Sequence, residues 1–347
     1  MNAPGGRRRS GAPRSEGASR RSDGPASSPP ARRTSGPVPG RRGGAESPNR
    51  RSSSPASGRT GGASSRGANR GFRGGEDDRA PRSTPERGLG GSQVEGRQAV
   101  RELLIAGRRK VREILISSDV EPAPVLDDIV ELAESRRVTV RQIGRGKFDS
   151  LAVTSAAQGV IARAYSLPEV DLADLLRRRK GVEPFLLALD GVTDPQNLGA
   201  ILRSAEGAGV TGVILPRHRA VHVTASVAKS AAGAIEYLPM ALVGGLPTAL
   251  KQLTDRGAWV VGLDGDAPTS LYSLPVADEP VVLVLGAEGK GLSRLVRERC
   301  SVLAAIPMDG RLNSLNVASA ASIACFDISR RRADKKAAQA LLDTAEH

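Results

Sequence analysis

Five polar side chains that could act together in chemistry fall in three short stretches, and each stretch follows a run of apolar residues. Asn197 and Arg203 lie in the first stretch, Glu288 in the second, and Ser314 and Asn316 in the third. The set contains no Ser-His-Asp arrangement, no metal-ligand spacing and no phosphate-binding loop. It suits binding of a cofactor that is partly uncharged and partly zwitterionic through main-chain groups, with the nucleophile supplied by the substrate.

The second stretch is rich in glycine. Residues 286–292 read Gly-Ala-Glu-Gly-Lys-Gly-Leu, and such glycines permit positive φ angles and a close approach of a ligand to the backbone. The stretch does not end in Gly-Lys-Ser/Thr, and it follows a late strand rather than the first of a unit. It therefore differs from the Walker loop and from the dinucleotide-binding fingerprint. Glu288 between these glycines has no evident structural purpose, which favours a functional one.

The other two stretches each lead into a predicted helix. Asp194 is a natural N-cap and Pro195 a natural first helical residue. On that helix Gly199 is expected to leave bare the face that carries Arg203. In the third stretch, turn-forming residues precede Ser314 and Asn316, either of which could cap an Ala/Ser-rich helix.

Apolar runs alternate with helical segments between residues 183 and 332, which predicts a parallel sheet with helices on both faces. Such sheets bind ligands beyond the carboxyl ends of their strands, where the three stretches lie. The predicted strands are Phe185–Asp190, Val210–Leu215, Ala258–Leu263, Pro280–Gly286 and Val302–Ile306. The predicted helices are Gly199–Ala208, Ser226–Ala232 and Leu246–Thr254.

A smaller α/β domain is predicted for residues 92–166. Its strands are expected at Val111–Ile116, Val138–Ile143 and Gly159–Ala164, and its helices at residues 94–104, Val125–Ser135 and Lys147–Leu151. The pattern by itself is equally consistent with a spacer. Residues 167–182 are predicted to be a linker with one basic helix, Leu172–Lys180, whose arginines either contact phosphate or are simply solvated. Residues 333–347 are predicted to be a C-terminal tail.

Most of the net charge of +14 belongs to one end of the 347-residue chain. Residues 1–91 contain 19 Arg, no Lys and seven acidic residues, a net charge of +12, and Phe72 is their only aromatic residue. This segment is predicted to be disordered. It serves either loose contact with RNA phosphates or only solubility.

The remaining composition indicates a protein of a reducing compartment. Cys300 and Cys325 are not in a Cys-x-x-Cys pair, which favours two structural thiols and no zinc. His218, His222 and His347 do not complete a metal site with the cysteines, so we expect no metal. No run of 18 apolar residues occurs, so we expect no membrane span.

Together, the three stretches resemble the three motifs of the SpoU/TrmH-type RNA ribose methyltransferases of the SPOUT superfamily. The motifs are Asn197-Leu198-Gly199-Ala200-Ile201-x-Arg203, Leu285-Gly286-x-Glu288-Gly289-x-Gly291, and Ile306-Pro307-Met308-x-Gly310-x-x-x-Ser314-Leu315-Asn316-Val317. The folded part resembles the branch that methylates the 2′-oxygen of a guanosine in 23S rRNA. Residues 95–100, Glu-Gly-Arg-Gln-Ala-Val, resemble the start of that branch's ribosomal-protein-like RNA-binding domain.

The resemblance implies a trefoil knot in the C-terminal domain, a cytoplasmic homodimer with the Ala/Ser-rich helix at its interface, and S-adenosylmethionine as cofactor. It implies a catalytic role for Arg203, either as base or in holding phosphate and stabilising the 2′-alkoxide, with orienting roles for the other four polar residues. The cofactor-binding residues that it implies are Gly262, Leu285, Gly286, Gly291, Ile306, Met308, Ser314, Leu315 and Val317.

Two positions depart from the family pattern. Ala157 precedes Gln158-Gly159-Val160 where the family often has His, which affects how the first domain would meet RNA. In the third motif, Asn316-Val317 is followed by Ala318 and Ser319, where the family more commonly has Ser followed by a variable residue. Both side chains are small, so we expect no loss of function. Two alternative functions stay open: ribose methylation of tRNA, and a non-catalytic RNA-binding or ribosome-assembly protein of the same fold.

Overall fold

The computed structural model describes residues 88–155, 157–177, 182–218, 222–274, 279–312 and 314–345. The predicted disordered segment therefore lies outside the described residues, except for its last four. These four are packed: Leu89 is fully buried, and Gly90 forms a parallel bridge with Val223. The boundary predicted at residue 91 is therefore wrong, and the packed part of the chain already includes Leu89.

The first sheet has the strand order β1-β4-β2-β3. Strands β2 and β3 are parallel, and β4 is antiparallel to both of its neighbours. The predicted helices and strands are all present, with ends that differ by at most three residues. Strand β1 was not predicted, and the prediction that the first helix includes residues 94 and 95 is wrong, because both lie in this strand and pair with β4. The strands are β1 (Gln93–Glu95), β2 (Val111–Ser117), β3 (Thr139–Ile143) and β4 (Val160–Ala164), and the helices are α1 (Arg97–Ala106), α2 (Pro124–Ser135) and α3 (Arg145–Leu151).

The predicted linker is in fact packed against the second sheet. The backbone N–H of Val170 donates to the carbonyl of Met240 at 3.0 Å. Helix α4 spans only Leu172–Leu175, so the prediction that it runs to Lys180 is wrong. Leu175 is buried over Gly212, where an added Cβ would lie 2.6 Å from the Leu175 side chain. Of the arginines in this predicted basic helix only Arg177 is described, and it pairs with Asp174 at 3.1 Å.

Within the described residues, the second sheet has seven strands, all parallel, in the order β7-β6-β5-β10-β8-β11-β9. The parallel sheet is as predicted, because its central strands are continuous apolar runs buried on both faces. Two short strands, β7 and β9, were not predicted. The strands are β5 (Phe185–Asp190), β6 (Gly212–Pro216), β7 (Met240–Val243), β8 (Trp259–Leu263), β9 (Thr269–Ser270), β10 (Val281–Gly286) and β11 (Val302–Ala305).

Helices cover both faces of this sheet. On one face, α5 and α9 share a core with β5 and β10, and this core continues into the first sheet. On the other face, α4, α7 and α8 pack on the same strands. The helices are α5 (Pro195–Gly207), α6 (Ala225–Ser230), α7 (Leu246–Thr254), α8 (Arg294–Arg297) and α9 (Val317–Ala345).

Helix α9 is longer than predicted. Its first half buries a stripe of small and apolar residues, from Val317 to Ile328, against α5 and β10. The helix continues to Ala345, and the side chains of residues 333–344 are exposed, so the segment predicted as a tail is helical up to Ala345.

The two sheets are joined by polar contacts, one of which is buried. Arg109 makes a two-pronged ion pair with Glu236, at 2.5 and 2.9 Å, and both side chains are almost inaccessible to solvent. The Tyr237 hydroxyl donates to Glu102 of α1 at 2.7 Å. Burial raises the pKa of Tyr237 to about 12, and the bond to Glu102 adds to this shift. The first sheet is thus held against the second by specific contacts.

Within the part of the chain that the structure describes, no helix combines the length and the apolar character that crossing a membrane would require. The same residues contain no group of three or more His, Cys, Asp or Glu side chains placed to hold a metal ion.

Candidate active site

Three loops meet at the carboxyl edge of the second sheet, and their polar side chains are hydrogen-bonded in series. The amide Nδ2 of Asn316 donates to Oδ1 of Asn197 at 3.0 Å. Nδ2 of Asn197 in turn donates to Oε2 of Glu288 at 3.1 Å. One residue of each predicted stretch takes part, although Asn197 and Asn316 are 119 positions apart. The structure thus brings the three stretches together.

Both asparagines are positioned by the start of a helix. Asp194 caps α5 as predicted, because its Oδ1 accepts the N–H of Gln196 at 3.0 Å. Asn316, rather than Ser314, caps α9: its Oδ1 accepts the N–H groups of Ala318 and Ser319, at 2.9 and 3.3 Å. Because the cap occupies Oδ1 of Asn316, its Nδ2 is the atom that faces Asn197. Each amide in the series therefore donates to the next residue, from Asn316 to Asn197 and from Asn197 to Glu288.

The glycine stretch forms a tight turn after β10. Ala287 and Gly291 exchange two backbone hydrogen bonds, at 2.8 and 3.0 Å. Gly286 lies directly beneath this turn, and an added Cβ would lie 2.1 Å from the carbonyl carbon of Gly291. Because of this close contact with the backbone, only glycine fits at position 286. The far end of the turn is tied to β5, because Asp190 accepts the N–H of Ser293 at 2.6 Å.

A cleft of about 400 Å³ lies beside the hydrogen-bonded series, over the ends of β8, β10 and β11. This volume is in the range of small-molecule sites. Apolar side chains form about half of the walls: Leu263, Leu285, Ala287, Leu292, Ile306, Met308, Leu315, Val317 and Ala320. Polar side chains lie among them: Asp264, Asp266, Glu288, Lys290, Arg297 and Ser314.

All but one of the residues predicted to bind the cofactor line this cleft: Leu285, Gly286, Gly291, Ile306, Met308, Ser314, Leu315 and Val317. The exception is Gly262, which is buried inside β8. An added Cβ there would lie 2.6 Å from Sγ of Cys300 and 2.7 Å from the Leu292 side chain. Gly262 therefore allows close packing behind the cleft instead of lining it.

Arg203 lies outside the cleft, on α5, six residues after Asn197. Its side chain is exposed, and among the described residues it has no hydrogen-bond or ion-pair partner. The prediction that Gly199 leaves its helix face bare is wrong. Gly199 is buried against α6, where an added Cβ would lie 2.9 Å from the carbonyl oxygen of Val227.

No functional role was predicted for Asp264, Asp266 or Arg297, which are charged residues of the cleft. Asp264 and Arg297 pair with each other. Asp264 directly follows β8, so the strand-end position that pointed to Glu288 applies to it as well. Asp190, which anchors the glycine turn from the end of β5, was not predicted either.

Known proteins share both the sequence and the architecture of this chain. The sequence profile of the SpoU rRNA Methylase family matches residues 184–326. A second profile, described as RNA 2'-O ribose methyltransferase substrate binding, matches residues 93–169. The two matches are separated by residues 170–183, which lie in the segment between the two sheets.

Three relatives illustrate the range of similarity. The 23S rRNA (guanosine-2'-O-)-methyltransferase RlmB of Pseudomonas aeruginosa is 46% identical over 60% of this chain and 84% of its own length. YacO of Bacillus subtilis, whose name assigns it provisionally to the TrmH family of tRNA/rRNA methyltransferases, is 39% identical over 59% of this chain and 82% of its own. The SpoU methyltransferase AviRb of Streptomyces viridochromogenes, solved in complex with AdoMet, has a TM-score of 0.59 and 25% identity over 70% of this chain and 90% of its own. The chain belongs to the SpoU rRNA Methylase family.

Proposed function

We propose that this protein transfers the methyl group of S-adenosylmethionine to the ribose 2′-hydroxyl of a guanosine in 23S rRNA. The series Asn316–Asn197–Glu288 beside the cleft carries the proposal, because it unites the three loops at one sheet edge. The name of the Pseudomonas aeruginosa relative supports the choice of ribosomal guanosine.

The cleft suits S-adenosylmethionine in both shape and chemistry. The cofactor supplies an electrophilic methyl group on a sulfonium sulfur. The apolar walls formed by Leu285, Ile306, Met308 and Leu315 match an adenine ring, and the main chain at the glycine turn is open to polar contacts. Gly286 contributes to this fit indirectly, because the absence of a side chain lets the turn at Gly291 and Leu292 pack directly over the end of β10. The AdoMet bound in the AviRb structure agrees with this assignment.

Arg203 is the residue best placed to act on the substrate. Its guanidinium is exposed and unpaired among the described residues, so an incoming phosphate does not have to displace a carboxylate. Because arginine stays protonated in proteins, we assign it to phosphate binding and to stabilisation of the 2′-alkoxide, with the proton leaving to solvent. This role does not require a deprotonated guanidinium.

The remaining predicted residues orient these groups. Asn197 is held from both sides, by Asn316 and by Glu288, so that its amide cannot rotate freely. It lies on the same helix as Arg203 and therefore links the substrate side to the cleft. Ser314 and Glu288 line the cleft and complete its polar edge. Such fixed polar groups lower the cost of orienting the reactants.

We assign RNA binding to the domain around the first sheet, which we propose is related to a ribosomal protein. The match of residues 93–169 to a substrate-binding profile supports this role. We propose that the basic N-terminal segment adds electrostatic affinity, since 19 arginines in residues 1–91 would release counterions from RNA. With ribosomal RNA as substrate, we place the reaction in the cytoplasm.

We further propose that the C-terminal part of the second domain forms a trefoil knot. The path of the chain after β11 supports this proposal. Met308, Ser314 and Leu315 lie beside the glycine turn that follows β10, and α9 then packs back on α5 and β10.

Homodimer formation is the third structural proposal. Phe326 projects from α9 with 51% of its surface exposed, in contact with Gly207 of α5. Leu312 and Leu315, near the start of the same helix, are exposed as well. These positions suit an interface between two copies, as the resemblance implies. Sedimentation equilibrium of the wild-type protein and a Phe326→Glu variant tests it: a monomeric wild type contradicts the proposal.

Transfer of labelled methyl groups tests the function and its main alternative. Purified protein is incubated with labelled S-adenosylmethionine and either unmodified 23S rRNA or total tRNA, with Asn197→Ala as the control variant. We expect transfer to rRNA only, and at least a tenfold loss in the variant. Transfer to tRNA alone would favour the tRNA alternative, which the name of YacO keeps open. No transfer and no cofactor binding would favour a non-catalytic RNA-binding protein.

A further inference from the structure

The end of β8 contributes a carboxylate to the cleft that none of the roles above explains. The side chain of Asp264 is 10% exposed, whereas Asp266 and Glu288, the other carboxylates of the cleft, are exposed. Oδ1 of Asp264 accepts the N–H of Asp266 at 3.0 Å, and Oδ2 accepts from the guanidinium of Arg297. Donors from two separate elements thus fix the plane of this carboxylate.

The Asp264 carboxylate has acceptor capacity left. An ionised carboxylate offers about two acceptor positions on each oxygen, and one position on each is occupied here. Because Arg297 balances its charge, the pair is neutral, and the free positions favour neutral donors over a second cation. Two adjacent hydroxyl groups on a ribose are such donors. In dinucleotide-binding α/β folds an acidic residue binds a ribose hydroxyl in a comparable way.

The position of Asp264 in the sheet agrees with this ligand. Strand β10 lies between β5 and β8, so Asn197 and Asp264 belong to loops on opposite sides of β10. Two strand spacings separate the ends of β5 and β8 by about 10 Å. Since the transferred methyl group must face Asn197 and Arg203, the part of the cofactor near Asp264 is one that is remote from the methyl group.

We propose that Asp264 binds the ribose hydroxyls of S-adenosylmethionine, and that Arg297 is a positioning residue that holds the Asp264 carboxylate in place. The inference rests on the proposed function and adds the side chain that recognises the nucleoside half of the cofactor.

Calorimetric titration of the full-length protein tests the proposal with four ligands. They are S-adenosylhomocysteine, its 2′-deoxy and 3′-deoxy analogues, and 5′-methylthioadenosine, which keeps the ribose but lacks the amino acid. The variant is Asp264→Asn. Asp255→Asn is the matched control, because Asp255 is a carboxylate outside the cleft that pairs with Lys251 at 2.7 Å.

In the wild type, loss of a bound hydroxyl should weaken binding by about 10- to 100-fold, as for hydrogen bonds to charged groups. Asp264→Asn should bind S-adenosylhomocysteine and 5′-methylthioadenosine more weakly than the wild type, by the same factor. The variant should then bind the deoxy analogues no more than about twofold more weakly than it binds S-adenosylhomocysteine. Asp255→Asn should behave as wild type.

Three results would overturn the inference. An undiminished deoxy penalty in Asp264→Asn would show that the carboxylate does not contact the ribose and acts only structurally. Weaker binding of S-adenosylhomocysteine with unchanged binding of 5′-methylthioadenosine would assign the carboxylate to the amino acid instead. No binding of S-adenosylhomocysteine to the wild type would refute the proposed function itself, and it is distinguishable because it precedes any variant.

Variants of Arg297 test the positioning role and keep the test valid if Asp264→Asn does not fold. Arg297→Met leaves the carboxylate but removes its anchor, so the deoxy penalty should fall. Arg297→Lys retains a donor and should restore most of the penalty. A full penalty in Arg297→Met would contradict the positioning role.

Discussion

Replacement of Gly286 by alanine should weaken cofactor binding about 100-fold and leave the rest of the chain folded. The added Cβ would lie 2.1 Å from the carbonyl carbon of Gly291, 2.4 Å from its oxygen and 2.4 Å from the nitrogen of Leu292. All three atoms are backbone atoms of a turn closed by two hydrogen bonds. No side chain can rotate away to make room, so the turn itself must move.

The size of the effect follows from this geometry. To bring the shortest contact from 2.1 Å to the 3.4 Å of ordinary van der Waals contact, the turn must shift by about 1.3 Å. Overpacking of this kind costs about 1–3 kcal/mol of stability. In catalysis, a displacement of about 1 Å costs about 100-fold in rate, and we take a factor of the same size for the groups that contact the cofactor. We therefore expect the affinity for S-adenosylhomocysteine to fall about 100-fold.

Calorimetry of the variant and a matched control measures this loss. Gly244→Ala is the control, because an added Cβ at Gly244 meets nothing within 4 Å and its φ is not in the left-handed region. Circular dichroism should show that both variants are folded. If Gly286→Ala binds S-adenosylhomocysteine as tightly as Gly244→Ala, the glycine turn does not form the cofactor site.

Four further predictions concern other parts of the molecule. Arg203→Ala should lower kcat about 100-fold or more, while S-adenosylhomocysteine affinity stays within about twofold, since Arg203 lies outside the cleft; a full-rate variant in a methyl-transfer assay would refute its role. Arg109→Met should destabilise the protein by about 3–5 kcal/mol in urea unfolding, because its partner carboxylate stays buried and unpaired. Lys251→Met, at an exposed pair, should cost less than about 1 kcal/mol, and equal losses would contradict the comparison. Burial raises the pKa of the Cys325 thiol to about 12, so at pH 8 about one thiol in ten thousand is ionised and iodoacetamide should react only after unfolding; rapid alkylation of the native protein would contradict this. Deletion of residues 1–87 should weaken RNA binding and lower its salt dependence without changing cofactor affinity; unchanged RNA binding at low salt would reject this.

Local signals in the sequence were enough to predict the elements at the centre of the second sheet. Strand β5 and helix α7 have the predicted ends, because a buried parallel strand is a continuous apolar run and α7 carries a regular apolar stripe. The cap at Asp194 was predictable for the same reason, since it depends only on adjacent residues. Strand β7 was missed, because its four residues lie between Pro239 and two glycines and give too short a pattern.

Features that depend on distant residues were not predictable. The burial of Gly199 depends on α6, which is about 30 positions further along the chain. The packing of Leu89 depends on contacts to residues near Val223, and no composition signal separates Leu89 from the arginine-rich segment before it. The rule that ligands bind at the carboxyl ends of parallel strands correctly predicted that the three loops lie close together. It could not show which amide would donate to which oxygen, and it did not separate Gly262 from the residues that line the cleft.

The most direct test of the proposed function is the identity of the methylated product. Unmodified 23S rRNA is incubated with the protein and S-adenosylmethionine, digested to nucleosides and analysed by mass spectrometry, with the site mapped by resistance to alkaline cleavage. We predict 2′-O-methylguanosine at a single position, absent with Arg203→Ala. A methylated base, or a methylated ribose on another nucleoside, would contradict the proposal.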